Sequence, residues 1–151
     1  NDFDLMVDTN VKGLLYVSRT VLPWMIARKQ GHVINIGSTA GKDAYANGNV
    51  YCGTKFAVDA ITKSMRIDLL PHQIKVTAVN PGAAETEFSL VRYKGNAEKA
   101  KAVYNGIEAL QADDIAEIVW FAASRPKHVV LNDIVVTPLA QANAMYIHRT
   151  V

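Results

Sequence analysis

The strongest constraint on this chain is an alternation. Helical stretches take turns with short β-branched runs too brief to be anything but strands. Residues 4–29 place Leu5, Met6, Thr9, Gly13, Tyr16 and Val17 near a 3.6-residue period, which predicts a helix. Pro23 falls inside it and is expected to kink it or mark a boundary, and Gln30-Gly31 ends it. His32 to Gly37 (HVINIG) reads as a buried strand bounded by glycines, and Ser38 to Asn49 as a loop. Val50 to Leu70 predicts a second helix, stopped by Pro71 and apolar on several sides through Val50, Phe56, Ala57, Ala60, Ile61 and Met65. Ile74 to Val79 predicts a second strand, ended by Asn80-Pro81-Gly82. A less regular stretch follows, with a short helix expected around Ala97 to Tyr104. Ile115, Ile118, Val119 and Ala122 then mark an amphipathic helix whose N-terminus is favoured by Asp113 and Asp114. Asp133 to Thr137 (DIVVT) predicts a third strand. This order implies an α/β layer fold on a parallel sheet. Ligands in such sheets bind at the carboxyl ends of the strands, so the loops after Gly37 and Val79 are where chemistry is expected.

Composition narrows the function classes. The net charge is +2 over 151 residues, with no basic run and no aromatic–basic interleaving, which argues against nucleic acid as a partner. Cys52 is the single cysteine, so no intrachain disulfide can form and the cytoplasm is the expected compartment. No apolar run approaches the roughly 20 residues of a membrane helix. His32, His72, His128 and His148 are scattered without metal-ligand spacing, so no metal is expected. Cys52 reads as a small packing residue, and Trp24 and Trp120 as core or subunit-interface residues.

Tyr51 and Lys55 stand four apart, one turn along the same helix face. A free phenol has a pKa of about 10, and a nearby ammonium would lower it by favouring phenolate. Such a tyrosine could donate a proton to a carbonyl or take one from an alcohol. Taken alone, the pair also reads as a buried tyrosine beside an exposed lysine. Ser38 adds a hydroxyl at the end of the first strand, thirteen residues before Tyr51, where turn chemistry is its other explanation. Asn10 lies within the first helix, where asparagine is a mediocre helix former. Pro81 and Gly82 open the turn after the second strand, and Thr86 follows in Ala83-Ala84-Glu85-Thr86.

Asn10 in DTNVKG, Ser38 in INIGSTAG, Tyr51 and Lys55 in YCGTK, and PGAAET at 81–86 together resemble the short-chain dehydrogenase/reductase family in order and spacing. The resemblance implies the C-terminal, catalytic part of a Rossmann-type doubly wound sheet, with about three strands and flanking helices. It implies Tyr51 as general acid/base, with Lys55 lowering its pKa and binding the nicotinamide ribose. Ser38 would position the substrate carbonyl, and Asn10 would hold a water in a relay through Lys55. Pro81 and Gly82 would border the nicotinamide, with Thr86 near its carboxamide. The segment at 86–100, with His148-Arg149 near the end, resembles the branch acting on 3-hydroxy acids and serine with NADP, and NAD remains an alternative. Arg92 and Lys94 lie in the variable loop where this family covers its substrate, and a carboxylate substrate needs a cation. A solvated basic loop is the other reading of that pair.

No G-x-G-x-x-G or G-x-x-x-G-x-G follows a strand here, although a dinucleotide fold uses such a loop to seat the pyrophosphate. Residues 1–151 are therefore expected to be the C-terminal catalytic portion of a single domain whose glycine loop lies upstream. The full protein is expected to be a homodimer or homotetramer acting on a small molecule. Two alternatives stay open. One is a ketoreductase for ketone, steroid or acyl-carrier substrates. The other is a non-catalytic NAD(P)-binding module on the same fold.

Overall fold

The computed structural model describes residues 1–150. Strands β1 (His32–Ile36), β2 (Lys75–Pro81) and β3 (Asp133–Val136) form one parallel sheet in that order. Val33 lies opposite Val76, Ile36 opposite Val79, and Asn80 opposite Val135. Parallel strands need long crossovers, and helices fill them. Helix α3 (Asn49–Leu69) joins β1 to β2. Helices α4 (Glu87–Arg92), α5 (Ala97–Ala102) and α6 (Ala112–Ala123) lie between β2 and β3.

The first helical stretch is α1 (Asp2–Val7), a wide turn at Asp8–Gly13, and α2 (Leu14–Arg28). Asn1 caps it by accepting from the backbone N–H groups of Phe3 and Asp4. Lys29 ends it in a left-handed conformation at φ 51°. The helix expected over 4–29 is there, and Pro23 does not mark a boundary in it. That residue is exposed inside α2, which runs unbroken across it. The break is the π-helical turn at Asp8–Gly13, which contains Asn10.

Side-chain alternation along β2 explains why helices cover both faces. Val76 joins Met65 and Leu69 of α3 in the core, with Leu22, Met25 and Ile26 of α2 packed against them. Lys75 points to the opposite face and donates to the carbonyls of Arg125 and Pro126, at 3.0 and 2.7 Å, just beyond α6. The sheet is thus wound on both sides, as the family resemblance implies. Val76 and Val79 are 0% exposed, which makes β2 the central strand. Burying a valine side chain contributes about 1.5–3 kcal/mol.

Two elements differ from expectation. The loop after β1 contains a 3₁₀ turn at Thr39–Gly41, capped by the Ser38 side chain. Helix α4 was not foreseen, because six residues are too few to show a period. It is set by Thr86, whose hydroxyl accepts from the Phe88 N–H at 3.3 Å. Among the described residues, no helix is long and apolar enough to cross a membrane.

Candidate active site

A cavity of about 550 Å³ opens at the carboxyl ends of β1 and β2. Its wall includes Ile36 at the end of β1 with Gly37 and Ser38 beyond it, Tyr51 and Lys55 from α3, and Pro81 at the end of β2 with Gly82 to Ala84 beyond it. Thr86, Phe88 and Arg92 close it from the far side. The fold therefore brings Ser38, Tyr51, Lys55, Pro81, Gly82, Thr86 and Arg92 to one place.

Ser38 follows β1 and turns its oxygen inward, accepting from the Ala40 N–H at 3.0 Å while capping the 3₁₀ turn. Its hydroxyl also lies within reach of the Tyr51 phenol. Tyr51 lies in the first turn of α3, half-buried, with the Phe88 ring tilted against it at 5.4 Å between centroids. Burial pushes the Tyr51 phenol above its ordinary pKa, and the Ser38 hydroxyl beside it pulls the other way. Lys55 holds its Nζ 5.9 Å from the Tyr51 ring centroid and donates to the Ile36 carbonyl at 3.1 Å. Burial alone pulls Lys55 below the usual lysine range. Lys55 is not among the groups that move the Tyr51 phenol, so the lowering expected from it is not seen in the site's electrostatics. Desolvation of the phenol dominates, and the ammonium flanks the ring.

Asn10 does not line the cavity. Its Nδ2 donates to Thr54 Oγ1 at 3.1 Å, and that hydroxyl donates to the Tyr51 carbonyl at 2.8 Å. The wide turn in the first helix thus ties Asn10 to the backbone of the residue that carries the phenol.

Lys94, the other basic residue expected at the substrate site, lies elsewhere in this structure. It is left-handed at φ 52°, 77% exposed, and ion-paired with Asp2 at 2.9 Å, away from the cavity. The turn after α4 points it outward, so the two basic residues expected to share a role do not share a site. His148 and Arg149 also lie off this cavity. Arg149 reaches the Asn105 carbonyl, and the His148 N–H bonds the Ala140 carbonyl at 2.8 Å.

Several lining residues escaped the sequence. Gln141 is 6% exposed and accepts from the Ala83 N–H at 2.7 Å, which pins the turn after β2. Tyr104 donates to the Ala84 carbonyl at 2.8 Å and shares a 2.7 Å hydrogen bond with Ser89 of α4. Both act across more than ten residues of chain, so no local spacing announces them. Tyr45 was within reach, since it lies in the loop after β1 where chemistry was expected.

The family described as short chain dehydrogenase matches residues 1–109. The chain belongs to that family. Among short-chain dehydrogenases, the NADP-dependent 3-hydroxy acid dehydrogenase of Salmonella typhi is 46% identical over 151 residues, covering 99% of this chain and 61% of that protein. The enzyme of the same name from Schizosaccharomyces pombe is 40% identical over 149 residues, covering 99% and 58%. The closed form of a serine dehydrogenase complexed with NADP⁺ superposes with a TM-score of 0.92 at 44% identity, covering 99% of this chain and 61% of that one. This short-chain dehydrogenase chain thus spans about three-fifths of the curated relatives it matches.

Proposed function

We propose that the chain is the catalytic part of an NADP-dependent oxidoreductase. It interconverts the alcohol of a short hydroxy acid, a 3-hydroxy acid or a serine-like one, with its carbonyl. The observation that carries this reading is the meeting of the Ser38 hydroxyl, the Tyr51 phenol and the Lys55 ammonium in one cavity at the strand ends. The names and cofactor of the relatives support the substrate class and the preference for NADP over NAD.

The cavity suits the nicotinamide half of such a cofactor. Its β2 side offers Pro81, Gly82, Ala83 and Ala84, a wall poor in side chains, and Ile36 presents an apolar face that is 47% exposed. Lys55 has N–H groups left over from its bond to Ile36 for ribose hydroxyls, and Thr86 has a hydroxyl proton for the carboxamide. The cofactor, when bound, supplies the hydride acceptor or donor. Ser38 donates to the substrate oxygen and fixes its position. In alcohol oxidation the Tyr51 oxygen takes the hydroxyl proton, and in carbonyl reduction it returns one to the carbonyl oxygen. Asn10 steadies the first turn of α3 through Thr54, and a water held beside it would carry the proton from Lys55 outward. Arg92 receives the substrate carboxylate.

No glycine loop for the pyrophosphate occurs in the sequence, so we assign that task to a segment upstream in the same domain. Tyr16, Val17 and Trp24 on α2 and Ile67 on α3 are each more than 60% exposed. We assign those faces to subunit contacts of a homodimer or homotetramer, in the cytoplasm. The test is growth of NADPH absorbance when a chain carrying both segments meets NADP⁺ and a short 3-hydroxy acid. Turnover supports the reading. Tight cofactor binding without turnover of acids or neutral alcohols would favour a binding module.

A further inference from the structure

We infer that Tyr45 and Arg92 form a two-donor clamp for the substrate carboxylate, which makes Tyr45 a specificity-determining residue. The inference rests on the oxidoreductase reading above and names the second half of its acid-binding site.

Arg92, the last residue of α4, lines the cavity together with Tyr45, Ser38 and Tyr51. Among the described residues, its guanidinium meets no carboxylate within ion-pair distance, although six other ion pairs are formed. Its one hydrogen bond runs from Nη1 to the Tyr45 hydroxyl at 3.5 Å, the long limit of such a bond. The guanidinium carbon lies 5.8 Å from the Tyr45 ring centroid. A guanidinium has five N–H donors in a planar fork, so most of the fork is free for an anion.

The Tyr45 hydroxyl accepts from Arg92, so its own proton points elsewhere. Among the described residues that proton has no acceptor. The ring is fixed from below. The Gly48 N–H bonds the Tyr45 carbonyl at 3.1 Å, Asn47 is left-handed at φ 63°, and the ring folds back over Gly48. A Cβ on Gly48 would stand 2.5 Å from the ring's Cε2, so only glycine leaves that space. Burial raises the Tyr45 phenol, which keeps it protonated and a donor at neutral pH. Two donors on separate elements, α4 and the loop after β1, thus border the cavity that holds Tyr51. A hydroxy acid can offer its alcohol to Tyr51 and Ser38 and its carboxylate to Arg92 and Tyr45 at once.

The experiment compares kcat/KM for a short 3-hydroxy acid with that for its methyl ester, which keeps the shape and loses the charge. It uses a chain that includes the dinucleotide-binding segment. Tyr45→Phe removes one hydrogen bond to a charged group and should lower the acid-to-ester ratio about tenfold. Gly48→Ala displaces the ring and should lower the same ratio, while Arg92→Ala should lower it roughly 10–100-fold. The ester rate, read from the same preparation, corrects for any loss of folded protein. A ratio lowered by Arg92→Ala but unchanged in Tyr45→Phe would overturn the clamp and leave the oxidoreductase reading standing. A ratio unmoved by either variant would overturn the acid-binding site as a whole. No turnover of either substrate by the parent would overturn the reading, and the clamp with it.

Discussion

The Lys55 ammonium lies over the Tyr51 ring, 5.9 Å from its centroid, with one proton committed to the Ile36 carbonyl. The phenol therefore has a cation at its flank, while burial still decides its ionisation. Burial disfavours the charged phenolate, so the Tyr51 pKa moves up and a smaller fraction is ionised at any given pH. Alcohol oxidation needs the phenolate and carbonyl reduction needs the phenol. The pH–rate profile for oxidation should then rise through the alkaline range, while reduction stays flat across neutral pH. Ser38→Ala removes the neighbour that pulls the phenol down and should move the oxidation limb to still higher pH. A limb displaced downward in that variant would contradict this electrostatic account.

Lys94 should be silent in catalysis. Its partner is Asp2, and both side chains are at least 70% exposed. The pair is exposed and screened by solvent, so Lys94→Ala should leave the unfolding free energy essentially unchanged. The acid-to-ester ratio should match the parent. Urea denaturation and the two rate constants check both statements, and a lowered ratio would return Lys94 to the substrate site.

The turn after β2 is held to the C-terminal segment through Gln141. A Cβ on Gly82 would stand 2.2 Å from Gln141 Oε1 and 3.1 Å from Thr137 Cγ2. Gly82→Ala should therefore displace the Gln141 amide and cost about 1–3 kcal/mol, as overpacking does. Gln141→Leu leaves the Ala83 N–H without its acceptor and should cost about 1–3 kcal/mol. Because both act on one contact, the double variant should be less destabilised than the sum of the two. Thermal melts of the four proteins test this, and strict additivity would show that the contact is not shared.

What was legible in the sequence follows from range. The strands at His32 and Lys75 and the helix from Asn49 announce themselves by period and β-branching within a few residues. Ser38, Tyr51 and Lys55 were legible as a set only through the family resemblance, because the one-turn spacing of Tyr51 and Lys55 and a serine at a strand end each have an ordinary structural explanation. Gln141 was not, since it meets Ala83 only after β3 has paired with β2. Asn10 was singled out as an odd residue in a helix. Its reason, a wide turn reaching Thr54 of another helix, depends on a contact 44 residues away. Arg92 and Lys94 look alike in sequence, and only the turn after α4 separates the one facing the cavity from the one facing Asp2.

The central claim is that the Tyr51 hydroxyl moves the proton, and a single oxygen tests it. Tyr51→Phe keeps the ring against Phe88 and removes only the phenol oxygen. In a chain that carries the dinucleotide-binding segment, steady-state turnover of a hydroxy acid with NADP⁺ should fall by about 10²–10⁴, the usual worth of a general acid–base. Cofactor affinity, measured by calorimetric titration, should stay close to that of the parent. Turnover within about tenfold of the parent, with the cofactor bound normally, would show that the proton travels by another group.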